Sequence, residues 1–553
     1  MSRRRVVLIV LLCAVLVATG AIAWTARSRS GARLAATGGT LVFAVAEAPT
    51  NFDPAFNRSS QTFQVVRQMF DTLVTHKPGT AELAPGLAER WERSADGRTL
   101  TFTLRSGVTF HDGTALDAAA VCANFDRWYR LDTAAAQSQA VFYVDIFGGF
   151  AHNRSPDLGT PLYDRCAAPD PGTVRLSLTA ARGILPAALA MPAFAISSPA
   201  ALRRYDADRV VQDGGGVGYS DYATLHPTGT GPFRFDRYDR QNRTITLVRN
   251  DTYWGPPVQL DKVIFKVVPD ETAREQELRA GTVDGYDLPG PDTTGTLADD
   301  GFQVLRRPPF NILYVGLNLA SPALADLRVR QAIGYALDKD TLVRTVLPEG
   351  TAVARELLPP PVPGYTQDVM RYDYDPDRAR ALLAQAGAQN LTLRFHYPTE
   401  ISQPYLPDPK KVFTLLAADL ERVGIQVLPV ARPWAGGYLT DIKQGTAHDL
   451  HMAGWIGDYN DAGNFIGTLF GRPRKDFGLT DPALFAALAA ADAQPDPTRR
   501  TAQYEQVNRD LMARYLPGIP IAHVPTALVV SAKVHGLVPG PLSDERFDGV
   551  TKG

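Results

Sequence analysis

The run Leu391-Thr392-Leu393-Arg394-Phe395-His396-Tyr397 alternates apolar and polar side chains, the pattern of a half-buried strand. Lys411 to Val423 then carries helical spacing and stops at Gly424, and Ile425 to Val430 is a second strand. Strand, helix and strand in this order make an α/β unit, and in such sheets ligands gather where strands end. The next strand runs through Leu450 and Met452 into Ala453-Gly454-Trp455-Ile456-Gly457-Asp458-Tyr459-Asn460-Asp461. This glycine-punctuated turn places Trp455, Asp458 and Tyr459 close together. Two readings are open for it. Either the rings are core aromatics and Asp458 caps a local turn, or the turn holds a carboxylate among aromatic faces as a partner for an ammonium group.

Outward from this unit the same α/β alternation continues. Asn311 to Leu319 is a strand leading to Ser321-Pro322, an N-cap and first-turn proline, after which Val329, Ala332, Ile333, Ala336 and Leu337 line one helical face. Asp375-Pro376-Asp377 opens a helix ending at Gly387, and Thr498 to Tyr515 is another before strands at Ile519 to His523 and Leu528 to Ser531. In the first half, Thr40 to Ala46 is a strand and Phe63 to Leu73 an amphipathic helix. Leu100, Phe102 and Leu104 alternate with threonines in a strand, and Phe233 to Phe235 pairs with Arg243 to Asn250. Lys262 to Val268 leads to a helix capped by Asp270 and ending at Gly281. The run Gly214-Gly215-Gly216-Val217-Gly218 lacks the spacing and the Gly-Lys-Ser/Thr of a phosphate loop and reads as a flexible surface loop.

At 553 residues the chain exceeds one hydrophobic core, so two or three domains are expected. Lys plus Arg (57) nearly cancels Asp plus Glu (58), and no long basic run appears, which argues against a nucleic-acid partner. Arg3-Arg4-Arg5, the uncharged run Val6 to Ala26 and the small-x-small Ala21-Ile22-Ala23 read as an export signal, or as an uncleaved anchor long enough to span a bilayer. Cys13 falls inside that run, without the expected small residue before it, so lipoprotein anchoring is not read. Cys122 and Cys166 remain. An even pair suggests a disulfide in an oxidising compartment; the alternative is two buried thiols, and export favours the first.

The common sequence handles of hydrolases and NTPases are absent: no His-Glu-x-x-His, Gly-x-Ser-x-Gly, Ser-x-x-Lys or Walker-type loop occurs. His448 and His451 flank Asp449, but their odd separation in a strand sends them to opposite faces, so no shared metal is read. His111-Asp112 reads as a turn.

Leu83-Ala84-Pro85-Gly86-Leu87-Ala88-Glu89-Arg90-Trp91, Asp96 to Asp112, Gly229-Thr230-Gly231-Pro232-Phe233, Arg249-Asn250-Asp251-Thr252-Tyr253-Trp254-Gly255, Arg328-Val329-Arg330-Gln331-Ala332-Ile333 and Gly454-Trp455-Ile456-Gly457-Asp458-Tyr459 together resemble the family 5 extracytoplasmic solute-binding proteins. Members deliver peptides and related solutes to ABC importers. The resemblance implies a two-lobed α/β periplasmic-binding fold (type II, cluster C-like) with an extra domain inserted in the first lobe. It places residues 1–26 as leader, 27–39 as linker, 40–71, 226–310 and 517–553 as lobe one, 72–225 as the insert and 311–516 as lobe two, with crossings near Phe310 and Pro517 as hinge.

In peptide-binding members the aspartate of Trp-x-x-Asp-Tyr pairs with the peptide's α-amino group. Asp458 matches it, with Gly457, Trp455 and Tyr459 beside it, which decides between the two readings above. By similar position the Arg58 to Phe63 loop, with Ser60, Gln61 and Thr62, supplies part of a backbone edge for the peptide, and Arg432 and Lys443 are the candidate anchors for its carboxylate. The expectation is a monomeric, non-catalytic binding protein outside the membrane, without cofactor or metal, with a short peptide and an ABC permease as partners. Other cargoes on the same scaffold are a metal chelate, an opine-like compound or an oligosaccharide, and ligand sensing is the other role.

Overall fold

A computed structural model describes residues 38–553. The leader and Cys13 lie outside the described residues, as does the linker up to residue 37. Among the described residues no helix is long and apolar enough to cross a membrane.

Two mixed sheets organise the chain. The first has seven strands in the order Phe233–Asp239, Thr244–Arg249, Lys262–Val267, Thr40–Val45, Gly285–Asp287, Ala527–Val530 and Gln303–Arg306. Thr40–Val45 lies parallel to both its neighbours, and the remaining pairs are antiparallel. The second sheet has six strands: Ala352–Val353, Gly518–His523, Asn311–Leu317, Leu450–Ile456, Thr392–Thr399 and Gln426–Pro433. Thr392–Thr399 runs parallel to both its neighbours, Leu450–Ile456 and Gln426–Pro433, and is joined to the latter by the helix Pro409–Arg422, which Asp408 caps by accepting from Lys411 N–H. This is the predicted β-α-β unit. Asn311–Leu317 is buried at every residue, as a central strand covered on both faces must be, and its sequence accordingly shows no alternation.

A third, four-stranded antiparallel sheet is built from Ala88–Arg93, Thr99–Leu104, Thr173–Leu178 and Tyr163–Asp170. Leu100, Phe102 and Leu104 point into its core, where Val121, Phe125 and Trp128 of the helix Ala118–Tyr129 meet them. Cys122 of that helix and Cys166 of Tyr163–Asp170 are disulfide-bonded, with their Cα atoms 5.2 Å apart.

Sheet pairing moves one expected boundary. Gly518–His523 pairs with Asn311–Leu317 in the second sheet, so the chain does not return to the first sheet at Pro517 but between His523 and Ala527. The outward crossing lies between Arg306 and Asn311, as expected near Phe310. The two crossings run side by side: Arg307 N–H donates to Thr526 O (2.8 Å), and the Asn311 side chain donates to Val524 O (2.7 Å) and accepts from Val524 N–H (3.0 Å). Buried Arg307 is held by Asp287 (2.6 Å) and Glu545 (2.6 Å) at this junction.

Three further local readings change. The long helix after Ser321-Pro322 begins at Leu327, capped by Asp326; Ser321 heads a short 3-10 turn instead. The glycine run is the tip of a hairpin, Val211–Asp213 against Gly216–Gly218, whose tight turn uses the positive φ of Gly214 and Gly215. The helix read from Phe63 to Leu73 spans Ser60–Val66, because Ser59 accepts from Thr62 N–H and starts it a turn early.

Candidate ligand cavity at the Trp455–Asp461 turn

The strand Leu450–Ile456 is buried through Ala453 and opens to solvent at its end, which delivers the turn to the edge of the second sheet. Glycine is needed at two points by close approach. A Cβ on Gly454 would strike the Tyr405 ring and Ile312 O, and one on Gly457 the rings of Phe310 and Phe465. Beyond them Asp458 N–H donates to Asn464 Oδ1 (2.7 Å), and Asn464 Nδ2 donates back to Asp458 Oδ2 (3.3 Å). Asp461 accepts from Gly463 N–H (2.7 Å) and is gripped at both carboxylate oxygens by Arg500 of the helix Pro497–Asp510. Asn460 Nδ2 reaches Ala81 O (2.8 Å), and Tyr459 packs into the core of the four-stranded sheet region beside Ile184. The turn is therefore clamped on three sides.

Asp458, Trp455 and Tyr459 line a cavity of about 630 Å³, within the range of about 300–1,000 Å³ that small-ligand sites occupy. Its far wall is the helix Val141–Phe147 and the stretch around Arg182 and Ile184; its floor includes Asn464, Arg472 and Asp492. The walls meet at Gly183 N–H, which donates to Asp492 O (2.7 Å), and at the Arg182–Asp492 ion pair (3.2 Å).

The electrostatics single out one carboxylate. The Asp458 side chain is exposed to solvent where it lines the cavity, although protein packs densely around its base. That packing pushes its pKa up to about 6; the Asn464 hydrogen bond opposes the rise, and the charge of Asp145 across the cavity adds to it. No Lys, Arg or His among the described residues pairs with Asp458. Asp145 is raised as well, by enclosure, with Arg472 opposing. Arg472 also makes no ion pair among the described residues, so the cavity holds opposite charges that the protein leaves unsatisfied. A second cavity of about 280 Å³ lies elsewhere, beside Arg67 and Thr72. Its carboxylates are paired, Asp544 with His76 (3.1 Å) and Asp548 with Arg546 (3.8 Å); Arg67 lines it without an ion pair among the described residues, so it offers a cation but no unpaired acid.

The other sequence candidates lie apart from this cavity. Arg432 sits on the edge strand Gln426–Pro433, paired with Asp441 at 3.0 Å, and Lys443 lies on the helix Leu439–Gln444. Neither lines the cavity. Ser60, Gln61 and Thr62 form the first turn of a helix rather than an open edge. Gln61 accepts from Ala46 N–H (3.2 Å), and none of the three lines the cavity. Arg472 lines the cavity and is not among the sequence candidates; Gly471-Arg472-Pro473-Arg474 closely follows the Asp458 motif, and that nearness is its one sequence signal. His448 precedes the strand, so strand alternation does not govern it. Its ring lies 5.0 Å from His451 and 5.8 Å from His396, all three buried and held neutral by burial; among the described residues no metal-binding cluster forms.

The model of the bacterial extracellular solute-binding proteins, family 5 (middle), matches residues 82–477. The chain belongs to this family. The dipeptide-binding protein of Escherichia coli K12 is 32% identical over 526 residues, covering 93% of this chain and 94% of that protein. Heme-binding protein A of Haemophilus influenzae is 30% identical over 536 residues, covering 93% and 92%. Among solved structures, the dipeptide-binding protein of Pseudoalteromonas sp. SM9913 in complex with Met-Leu has a TM-score of 0.70 at 25% identity, covering 93% of this chain and all of that one. The two sheets described above are thus the two lobes of a family 5 solute-binding protein, a class of binding proteins rather than enzymes.

Proposed function

We propose that this family 5 protein captures short peptides in the 630 Å³ cavity and delivers them to the permease of an ABC importer on the outer face of the membrane. The observation that carries the reading is that Asp458 and Arg472, exposed and without ion pairs among the described residues, line one cavity. A zwitterionic peptide presents an ammonium to the first and a carboxylate to the second, and both contacts are charge-assisted hydrogen bonds in a site from which water is partly excluded. Trp455 and Tyr459 flank the ammonium end. The protein acts as a monomer, and the side-by-side crossings at Arg307–Phe310 and Val524–Thr526 serve as the hinge about which the lobes close on the ligand. The relatives named for dipeptides favour this cargo. The haem-named relative supports a second reading, a metal-bearing cargo, but no His, Cys or Met lines the cavity, so such a cargo would be held through its own carboxylates.

Native mass spectrometry of the purified protein beside an Asp458→Ala variant tests the assignment. Excess mass resolving into short peptides in the wild type and lost in the variant is the expected result. A cargo without an amine, bound equally by both, refutes it.

A further inference from the structure

The cavity has one charge more than a plain zwitterion can use. Five ionisable residues line it among its carboxylates and guanidiniums: Asp145, Arg182, Asp458, Arg472 and Asp492. Arg182 and Asp492 pair with each other at 3.2 Å, and Asp492 also lies 3.5 Å from Arg500, so that group is internally balanced. On the peptide reading, Asp458 takes the ammonium and Arg472 the carboxylate. Asp145 then remains, facing the same space with no ion-pair partner among the described residues.

The helix that carries Asp145 shows how it comes to face the cavity. In Val141–Phe147, the residues Tyr143, Ile146 and Phe147 are buried in the core of the four-stranded sheet region. Phe142 and Asp145, one turn apart, line the cavity together with Val144 and Ile146. The Phe142 ring is fixed from behind by Phe63, with centroids 5.9 Å apart. An apolar ring one turn from an unpaired carboxylate matches a long cationic side chain, whose methylene stem covers the ring while its charged head reaches the acid.

We propose that Asp145, with Phe142, reads a basic side chain, so that the preferred cargo is a short peptide carrying lysine, arginine or a similar cationic residue. This rests on the peptide reading and narrows it. The cation supplied by the ligand closes the charge count: ammonium to Asp458, carboxylate to Arg472, side-chain cation to Asp145. A neutral dipeptide leaves Asp145 exposed and without a partner on the cavity wall, and an acidic one adds a like charge beside it.

The test offers the purified protein an equimolar mixture of Ala-Ala, Ala-Lys, Lys-Ala and Ala-Glu in native mass spectrometry, followed by calorimetric titration of each. One lysine dipeptide should bind about tenfold more tightly than Ala-Ala, the scale of one charge-assisted contact in an enclosed site, with Ala-Glu the weakest. In Asp145→Asn the lysine-to-alanine affinity ratio should fall to about one, and Asp145→Arg should turn the preference towards Ala-Glu. The wild-type titrations decide without any variant: equal affinity for Ala-Ala and the lysine peptides overturns the assignment of Asp145 and leaves the peptide reading standing. A lysine preference that survives in Asp145→Asn also overturns it. Failure of all four dipeptides to bind overturns both.

Discussion

Acidifying the solution from pH 7 to pH 5 should weaken peptide binding about tenfold, and Asp458 is the reason. Its carboxyl is pushed up to about 6 by the enclosing cavity walls, with Asp145 contributing. At pH 7 roughly nine-tenths of the empty protein carries the ionised form, at pH 6 half, and at pH 5 about one-tenth. The peptide ammonium titrates near 8, so it stays charged throughout. Only the ionised carboxylate offers the charge-assisted contact, and apparent affinity follows its population. An aspartate in the ordinary range, about 3.9, would be almost fully ionised at pH 5 and would leave affinity nearly flat over the same interval. Isothermal titration of Ala-Ala, which has no side-chain cation for Asp145, at pH 7, 6 and 5 measures the effect. At pH 6, repeating the titration in buffers of different ionisation enthalpy should reveal about half a proton released per peptide bound, because the ammonium draws the carboxyl back to its ionised state. Asp458→Asn should weaken binding at pH 7 by about ten- to a hundredfold and abolish the slope. A flat profile in the wild type, or the same slope in the variant, refutes the reasoning. In the empty protein the sign is opposite to that of a salt-bridged aspartate. A raised carboxyl costs nothing below its unfolded value, and the cost grows as pH rises towards 6.

Three further outcomes concern stability. The Cys122–Cys166 bond closes a loop with a sequence separation of 44, so reducing it, or replacing both cysteines by serine, should lower unfolding free energy by about 4 kcal/mol in the chain-entropy model, read as a shifted urea midpoint. His396 and His523 are buried and pushed down to about 4 because burial penalises the imidazolium. The stability they lend as neutral rings is complete above about pH 6.5 and is lost as pH falls towards 4, by about 3 kcal/mol each at pH 4. Urea melts at pH 7, 5 and 4 measure it, and a His523→Gln variant should lose part of the slope. Arg500→Ala leaves Asp461 buried without its partner, which should cost about 3–5 kcal/mol in the same assay and weaken peptide binding by loosening the turn; Asp461→Asn with Arg500→Met should recover much of the stability.

Much of the fold was readable because its signals are local. Leu391 to Tyr397 and Thr99 to Leu104 alternate because one face of each strand is covered, and Asp408, Asp270 and Asp375 cap helices through their own side chains. What escaped depended on contacts between distant segments. No local feature of Gly518–His523 states which sheet it joins; that is fixed by pairing with Asn311–Leu317, some two hundred residues earlier in the chain. Ser60 to Thr62, read as part of a backbone edge by similar position in the family, stand in the first turn of a helix that Ser59 caps. Asp458 and Trp455 were legible through their motif, whereas Arg472 enters the cavity only because the chain after Asp461 coils tightly through Gly463–Gly467 and Thr468–Phe470. Asp145 carried no motif at all. It became visible once the buried face of its helix was known, since the cavity takes what the core leaves.

The Asp458 carboxylate is exposed and has no ion-pair partner among the described residues, and its surroundings hold it in place. The turn has little freedom to bury the acid further or swing it out: Gly454 and Gly457 seat the backbone against Tyr405 and Phe310, Asn464 fixes both its amide and its carboxylate, and the Asp461–Arg500 pair locks its exit. The remedy for the unpaired charge therefore has to come from outside, as a cation entering the cavity. Closure uses the same logic, because the walls touch at Gly183 and Asp492, beside the balanced Arg182–Asp492 pair, and not at the unbalanced Asp458, Arg472 or Asp145. The wall contacts are made by groups that pair with each other, while Asp458, Arg472 and Asp145 make no ion pair among the described residues. On the peptide reading, affinity follows ligand charge more than lobe contact, and for that reason the pH and peptide-charge series are sharper tests of this site than substitutions at the lobe junction.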